Sequence, residues 1–211
     1  MLSTRIVLAA AALLIGPGQA MAQSETAEAV SSPPSEIVVP VRAMGLDDAP
    51  VQIDFYSSFN CVECADWYLT ILPELKSRYI DTGQARFVFH DVAVEPIYPS
   101  VRAAMIGLCA DPAHFFDVAQ SFMSGQAEVV EDESKVTQWY ADAIAAAGEE
   151  PAEVEACAAS EATYNMVIAQ NADPIARIMP SFPGVMINGR VIEHPTLDSI
   201  ASAILFAPTA P

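Results

Sequence analysis

Apolar and polar residues alternate through Val51-Gln52-Ile53-Asp54-Phe55-Tyr56, a period that predicts a half-buried β-strand. From about Val62 to about Tyr79 the apolar spacing lengthens to three and four, predicting a helix that Pro73 kinks. Asp81-Thr82-Gly83-Gln84 reads as a turn, and Arg86-Phe87-Val88-Phe89-His90-Asp91 as a second strand. The order strand, helix, strand predicts a right-handed parallel unit. Helical spacing then fills residues 100–110, 113–124 and 134–147, with Gly125 and Gly148 read as stops, and continues through 151–159 and 161–170. The period shortens again at Gly184-Val185-Met186-Ile187. Asn188-Gly189 predicts a two-residue hairpin, Arg190-Val191-Ile192 its returning strand, and 195–206 a closing helix that begins at Pro195 or Thr196. No internal repeat is visible.

The start of the chain follows a different logic. Arg5 is the only charge before Glu25, residues 6–15 are apolar, Gly16-Pro17-Gly18 breaks the run, and Ala20-Met21-Ala22 is an A-x-A cleavage site. Residues 1–22 therefore read as a secretory signal peptide, cut before Gln23. The apolar run is too short to span a bilayer, and no later run is long enough, so no membrane insertion is expected after cleavage. Residues 23–40, with Pro33-Pro34, read as a flexible lead-in, and 41–211 as one domain. The whole chain carries a formal charge of −18. Such a surface repels phosphate backbones, which argues against nucleic acid as a partner.

The candidate chemistry lies in the four cysteines. Cys61-Val62-Glu63-Cys64 falls where the first strand passes into the first helix. A thiol there meets free backbone N–H groups and the positive end of the helix dipole, and both stabilise the thiolate, the reactive form. In an exported, oxidising setting the cysteines are expected to pair. Proximity commits Cys61 to Cys64, which leaves Cys109 for Cys157.

These motifs, in order, resemble the DsbA-like thiol-disulfide oxidoreductases, an α/β thioredoxin-like fold with an inserted helical subdomain, here at about 97–170. The resemblance rests on Asp48-Ala49-Pro50-Val51, the Cys61–Cys64 motif, residues 79–89, Leu108-Cys109-Ala110 and Phe182-Pro183-Gly184-Val185-Met186-Ile187-Asn188-Gly189. It implies that Cys61 is the surface nucleophile and Cys64 the resolving thiol. It implies that Pro183 is a cis-proline facing the disulfide, and that Phe182 offers its backbone to a substrate chain, strand to strand. A Cys109–Cys157 bond would be a structural clamp; two free thiols or a regulatory bond are the alternatives. The implied substrates are cysteine-containing exported proteins, in the periplasm or secreted. A membrane redox partner resets the pair, and no cofactor is required. Disulfide formation is the favoured direction; reduction or isomerisation, or copper(I) binding by the two thiolates, are the alternatives.

Three positions depart from the family pattern. Glu63 puts a carboxylate between the cysteines, which opposes thiolate formation and favours more reducing behaviour, unless it points to solvent and serves only the helix start. Phe182 stands where relatives carry a smaller residue, to narrow the site, to stack on substrate or to pack beside the disulfide. The buried acid common six residues before the first cysteine is replaced by Phe55; a one-residue bulge would restore Asp54 to that role beside Cys64. His90, His114 and His194 show no ligand spacing and only one close cysteine pair exists, so no metal site is expected.

Overall fold

A computed structural model of the chain describes residues 37–207. The expected signal peptide and most of the expected lead-in lie outside the described residues. The five strands are β1 (Arg42–Met44), β2 (Val51–Ser57), β3 (Ala85–Asp91), β4 (Gly184–Ile187) and β5 (Arg190–Ile192). They form one sheet in the order β1-β3-β2-β4-β5. β2 pairs in parallel with β3, and every other pairing is antiparallel. The β4–β5 turn uses Asn188 and Gly189 at φ 46° and 78°, positive at both positions as a two-residue turn that follows strand twist requires.

α1 (Val62–Thr70) follows β2 directly. The single kinked helix expected to reach Tyr79 is instead three pieces. α1 stops at Thr70, α2 (Leu72–Leu75) restarts with Pro73 in its first turn, and Lys76–Ile80 winds more widely as a π-helix. Proline lacks an N–H and its ring crowds the preceding turn, so the ladder yields just before it.

Between β3 and β4 run six α-helices: α3 (Ile97–Leu108), α4 (Phe115–Glu131), α5 (Val136–Ala145), α6 (Pro151–Ala158), α7 (Glu161–Asn171) and α8 (Pro174–Ile178). α9 (Leu197–Leu205) closes the fold, with the Thr196 side chain accepting from the Ser199 N–H as its N-cap. Gly125 does not stop a helix. It lies inside α4, where a Cβ would come within 2.8 Å of Trp139 Cδ1, so glycine there admits the α5 indole. Gly148 does follow a helix end, at φ 76°.

The alternation along β2 sorts two cores. Phe55 faces α1 and stacks on Trp67 with ring centroids 4.5 Å apart. On the same side Phe89 meets Phe59 at 5.4 Å, Phe59 meets Phe122 of α4 at 4.8 Å, and Phe122 meets Trp139 of α5 at 4.7 Å. This aromatic file joins sheet, reactive loop and inserted helices. Tyr56 faces the other way, into a smaller cluster with Val92, Ala176, Met179 and Met186.

Candidate functional site

The strand-to-helix junction places Cys61 at the N-cap of α1. Its Sγ accepts the backbone N–H of Cys64 at 3.2 Å, and Cys61 and Cys64 are joined as a disulfide. Cys61 is half-buried and Cys64 fully buried, so only the first sulfur can be approached. Sulfur at an N-cap receives a donor that the helix would otherwise leave unsatisfied, and that interaction grows when the sulfur is an anion. Glu63 is exposed, yet its Oε2 stands 3.9 Å from Cys61 Sγ.

The Phe182–Pro183 bond is cis, and Pro183 lines an open groove together with Glu63, Asp66, Trp67, His194 and Thr196. The Trp67 indole N–H donates to the Pro195 carbonyl at 2.6 Å, fixing α1 against the segment that leads into α9. The Phe182 ring packs on the Tyr56 and Met186 side of the sheet, among the smaller cluster. A second cis bond, Glu95–Pro96, shapes the entry to α3.

Asp54 is placed differently from expectation. The β2–β3 register runs unbroken from Val51↔Ala85 to Ser57↔Asp91, so the bulge that would turn Asp54 toward Cys64 is absent. Asp54 therefore keeps the parity of Gln52 and Tyr56, opposite to Phe55 and its α1 partner. The Asp54 carboxylate pairs with His90 Nε2 at 2.8 Å and accepts from the Gln52 side chain at 2.9 Å, while the His90 ring stacks on Tyr56. Burial, with Asp173 and Asp54 nearby, holds the Tyr56 hydroxyl well above its ordinary range.

The loop before Cys61 carries polar residues that sequence reasoning passed over. The Ser58 hydroxyl donates to Asn60 Oδ1 at 2.7 Å and lies 2.9 Å from the Ser100 hydroxyl of α3. Asn60 Nδ2 donates to the Val94 and Pro96 carbonyls at 3.4 and 3.1 Å, and Gln126 Nε2 of α4 donates to the Asn60 carbonyl at 3.1 Å. The loop before Cys61 is thus tied to the inserted helices at Ser100 and Gln126, and to the segment entering α3 at Val94 and Pro96. Nothing in the local spacing of Ser58 and Asn60 announces partners so distant in sequence.

A further buried acid, Asp91, ends β3 opposite Ser57. Neither Asp91 Oδ1 nor the Ser57 hydroxyl has a hydrogen-bond partner. Burial pushes the Asp91 carboxyl up to about 8, against the opposing pull of the Val92 N–H. Elsewhere, Cys109 at the end of α3 and Cys157 in α6 are joined with Cα atoms 5.9 Å apart. Arg102 of α3 reinforces this contact through the Ala158 carbonyl and Glu155. His114 Nδ1 pairs with Asp117, and His194 lies in the Pro183 groove. Among the described residues, no His, Cys, Asp or Glu cluster is arranged to hold a metal ion. No helix there is long and apolar enough to cross a membrane.

Comparison with known proteins agrees with this geometry. A probable disulfide bond formation protein D of Bacillus cereus is 30% identical over 98 residues, covering 46% of this chain and 43% of that protein. A putative protein-disulfide oxidoreductase of Rickettsia bellii is 26% identical over 164 residues, covering 76% of this chain and 62% of that protein. The chain thus spans from under half to under two thirds of the length of these curated relatives. In fold, it resembles the oxidised crystal structure of BdbD from Bacillus subtilis, with a TM-score of 0.68 at 20% identity over 78% of this chain and 91% of that one. It also resembles α-DsbA1 of Wolbachia pipientis, with a TM-score of 0.66 at 18% identity over 79% and 90%. A family model described as Thioredoxin matches residues 39–205. With a cysteine pair at the α1 N-cap and helices inserted between β3 and β4, the chain belongs to the thioredoxin family.

Proposed function

We propose that this chain is an exported thiol-disulfide oxidoreductase that exchanges the Cys61–Cys64 disulfide with cysteines of other exported proteins, in the disulfide-forming direction. The observation that carries this reading is the asymmetry of the pair. Cys61 Sγ is approachable and caps a helix N-terminus, while Cys64 is sealed behind it. The names of the Bacillus and Rickettsia relatives support the same chemistry.

A substrate thiolate attacks Cys61 Sγ, the Cys61–Cys64 bond breaks, and Cys64 leaves as a thiolate that takes up a proton. A second substrate thiolate then attacks the substrate sulfur of the mixed disulfide and expels Cys61. The substrate has lost two electrons and the enzyme holds two thiols. The N–H of Cys64, aimed at Cys61 Sγ, stabilises Cys61 as the leaving thiolate. Pro183 and the backbone of Phe182 offer the strand-like edge along which the substrate chain lies. A membrane redox partner would return the pair to the disulfide. The secretory reading of residues 1–22 supports a periplasmic or secreted site of action.

The place of Glu63 favours a second direction. A carboxylate 3.9 Å from Cys61 Sγ opposes the thiolate and shifts the couple toward reduction of substrate disulfides. The test is paired. The purified protein should reoxidise reduced ribonuclease in a glutathione buffer faster than it reduces insulin, and Cys61→Ala should abolish both. Turnover that survives Cys61→Ala would exclude the proposed chemistry, and faster insulin reduction would reverse the direction.

A further inference from the structure

A groove of about 440 Å³ opens between the start of α3 and the facing ends of α4 and α5. Its walls are apolar: Tyr98 is 78% and Val130 60% exposed, and Val129 and Trp139 line it beside them. Single exposed apolar residues are ordinary, but a contiguous apolar trough with polar groups at its edge marks a surface that a partner covers.

Three observations identify the occupant. The first is continuity with the reactive sulfur. Asn60 borders the groove and is the residue immediately before Cys61, so a chain whose cysteine reaches Cys61 has its neighbouring residues at this trough. The second is Gln126, a groove-lining side chain only 2% exposed. Its Nε2 holds the Asn60 carbonyl, and its Oε1 has no partner. A buried acceptor left unmet is costly, and a donor brought by an occupant would relieve that cost. The third is charge. Glu133 stands at the rim, and the adjacent cation, Lys135, is paired with Glu128 at 3.0 Å, so the edge presents a negative field.

We propose that this groove receives the stretch of a protein substrate that flanks its reactive cysteine, a proposal that rests on the exchange chemistry above. The preferred stretch carries one bulky apolar side chain for the Val130 and Trp139 walls. Beside it sits an arginine or lysine, whose N–H groups answer Glu133 and Gln126. The groove thereby selects among thiols that Cys61 alone would treat alike, and it does so on the insertion, away from the Pro183 edge that recognises backbone.

The test separates binding from chemistry. Fluorescent peptides with serine in place of the reactive cysteine, flanked by tryptophan and arginine or by serine and glutamate, are titrated by anisotropy. The tryptophan–arginine peptide should bind at least about tenfold more tightly. Val130→Glu should erase the preference, and Glu133→Lys should weaken the favoured peptide about fivefold. Exchange between Cys61 and glutathione, too small to span the trough, should be unchanged in both variants. Equal affinity for the two peptides, or a loss of glutathione exchange in step with peptide binding, would overturn the proposal. Self-association that Val130→Glu abolishes would assign the trough to a second copy of the chain and equally overturn it. Because the serine peptides undergo no redox step, selective binding by a protein inert toward glutathione would defeat the exchange reading while leaving the groove's specificity standing.

Discussion

At the scale of single residues, two carboxylates make opposite demands. Glu63 is exposed and sits beside the reactive sulfur. Removing its charge in Glu63→Gln should raise the reduction potential of the Cys61–Cys64 couple. A change of about one pKa unit in the thiol amounts to about 1.4 kcal/mol, or about 30 mV for two electrons. Equilibration against glutathione measures it, and an unchanged or lower potential would remove Glu63 from the redox chemistry. Asp91 is instead buried and holds its proton up to about pH 8. Its folded value lies above that of the unfolded chain. The stability this contributes is complete below the ordinary carboxylate range and is lost as pH rises from there toward 8. Asp91→Asn cannot ionise, so its stability relative to the parent should improve across that window by up to about 1.4 kcal/mol per pH unit. Urea unfolding at pH 5 and pH 8 reads the difference, and a constant gap would show that Asp91 carries no such proton. The Cys61–Cys64 pairing and the cis bond before Pro183 occur where the motif and the family resemblance put them. Neither could locate Asp91 or the His90 partner of Asp54, because burial and cross-strand pairing are set by residues far along the chain.

At the scale of elements, the legible parts were those whose period is long enough to read. The alternation of β2, the spacing of α1 and the Asn188-Gly189 hairpin all occur where the pattern places them. β1 was missed because three residues on a sheet edge show no period, and α8 because five residues make little more than one turn. Gly125 misled for a different reason. Glycine commonly ends helices, yet here it makes space for a partner. Gly125→Ala should therefore destabilise the protein by about 1–3 kcal/mol even though alanine is the better helix former, since the indole it meets at 2.8 Å is held in place by its own hydrogen bond to the Phe122 carbonyl. Thermal unfolding measures this, and a stabilised variant would mean that the helix alone governs the position.

At the scale of the molecule, the insertion has its own staple. The Cys109–Cys157 bond joins α3 to α6 across a sequence separation of 48. Replacing both cysteines by alanine should lower the unfolding free energy by up to about 4 kcal/mol in the chain-entropy account. Exchange at Cys61 should persist; if it were lost with the fold intact, the second bond would be part of the redox machinery rather than a clamp. The parallel strand-helix-strand unit and the helices that follow it are legible in the order of periods along the chain, and the fold class in the family resemblance, whereas the tie between insertion and reactive loop is not, because Phe59 and Asn60 find their partners only after the helices have docked. That tie bears on how the protein could be dismantled or borrowed from. Phe59 is locked among Phe89, Phe115 and Phe122, and Asn60 is held by Gln126, so the backbone leading to Cys61 is supported by the inserted helices as well as by the sheet. A trimmed version containing only the sheet, α1 and α9 would keep both cysteines yet lose the scaffold that aims the first of them. The reactive motif is therefore not a portable cassette; it has to be moved together with the helices that hold it.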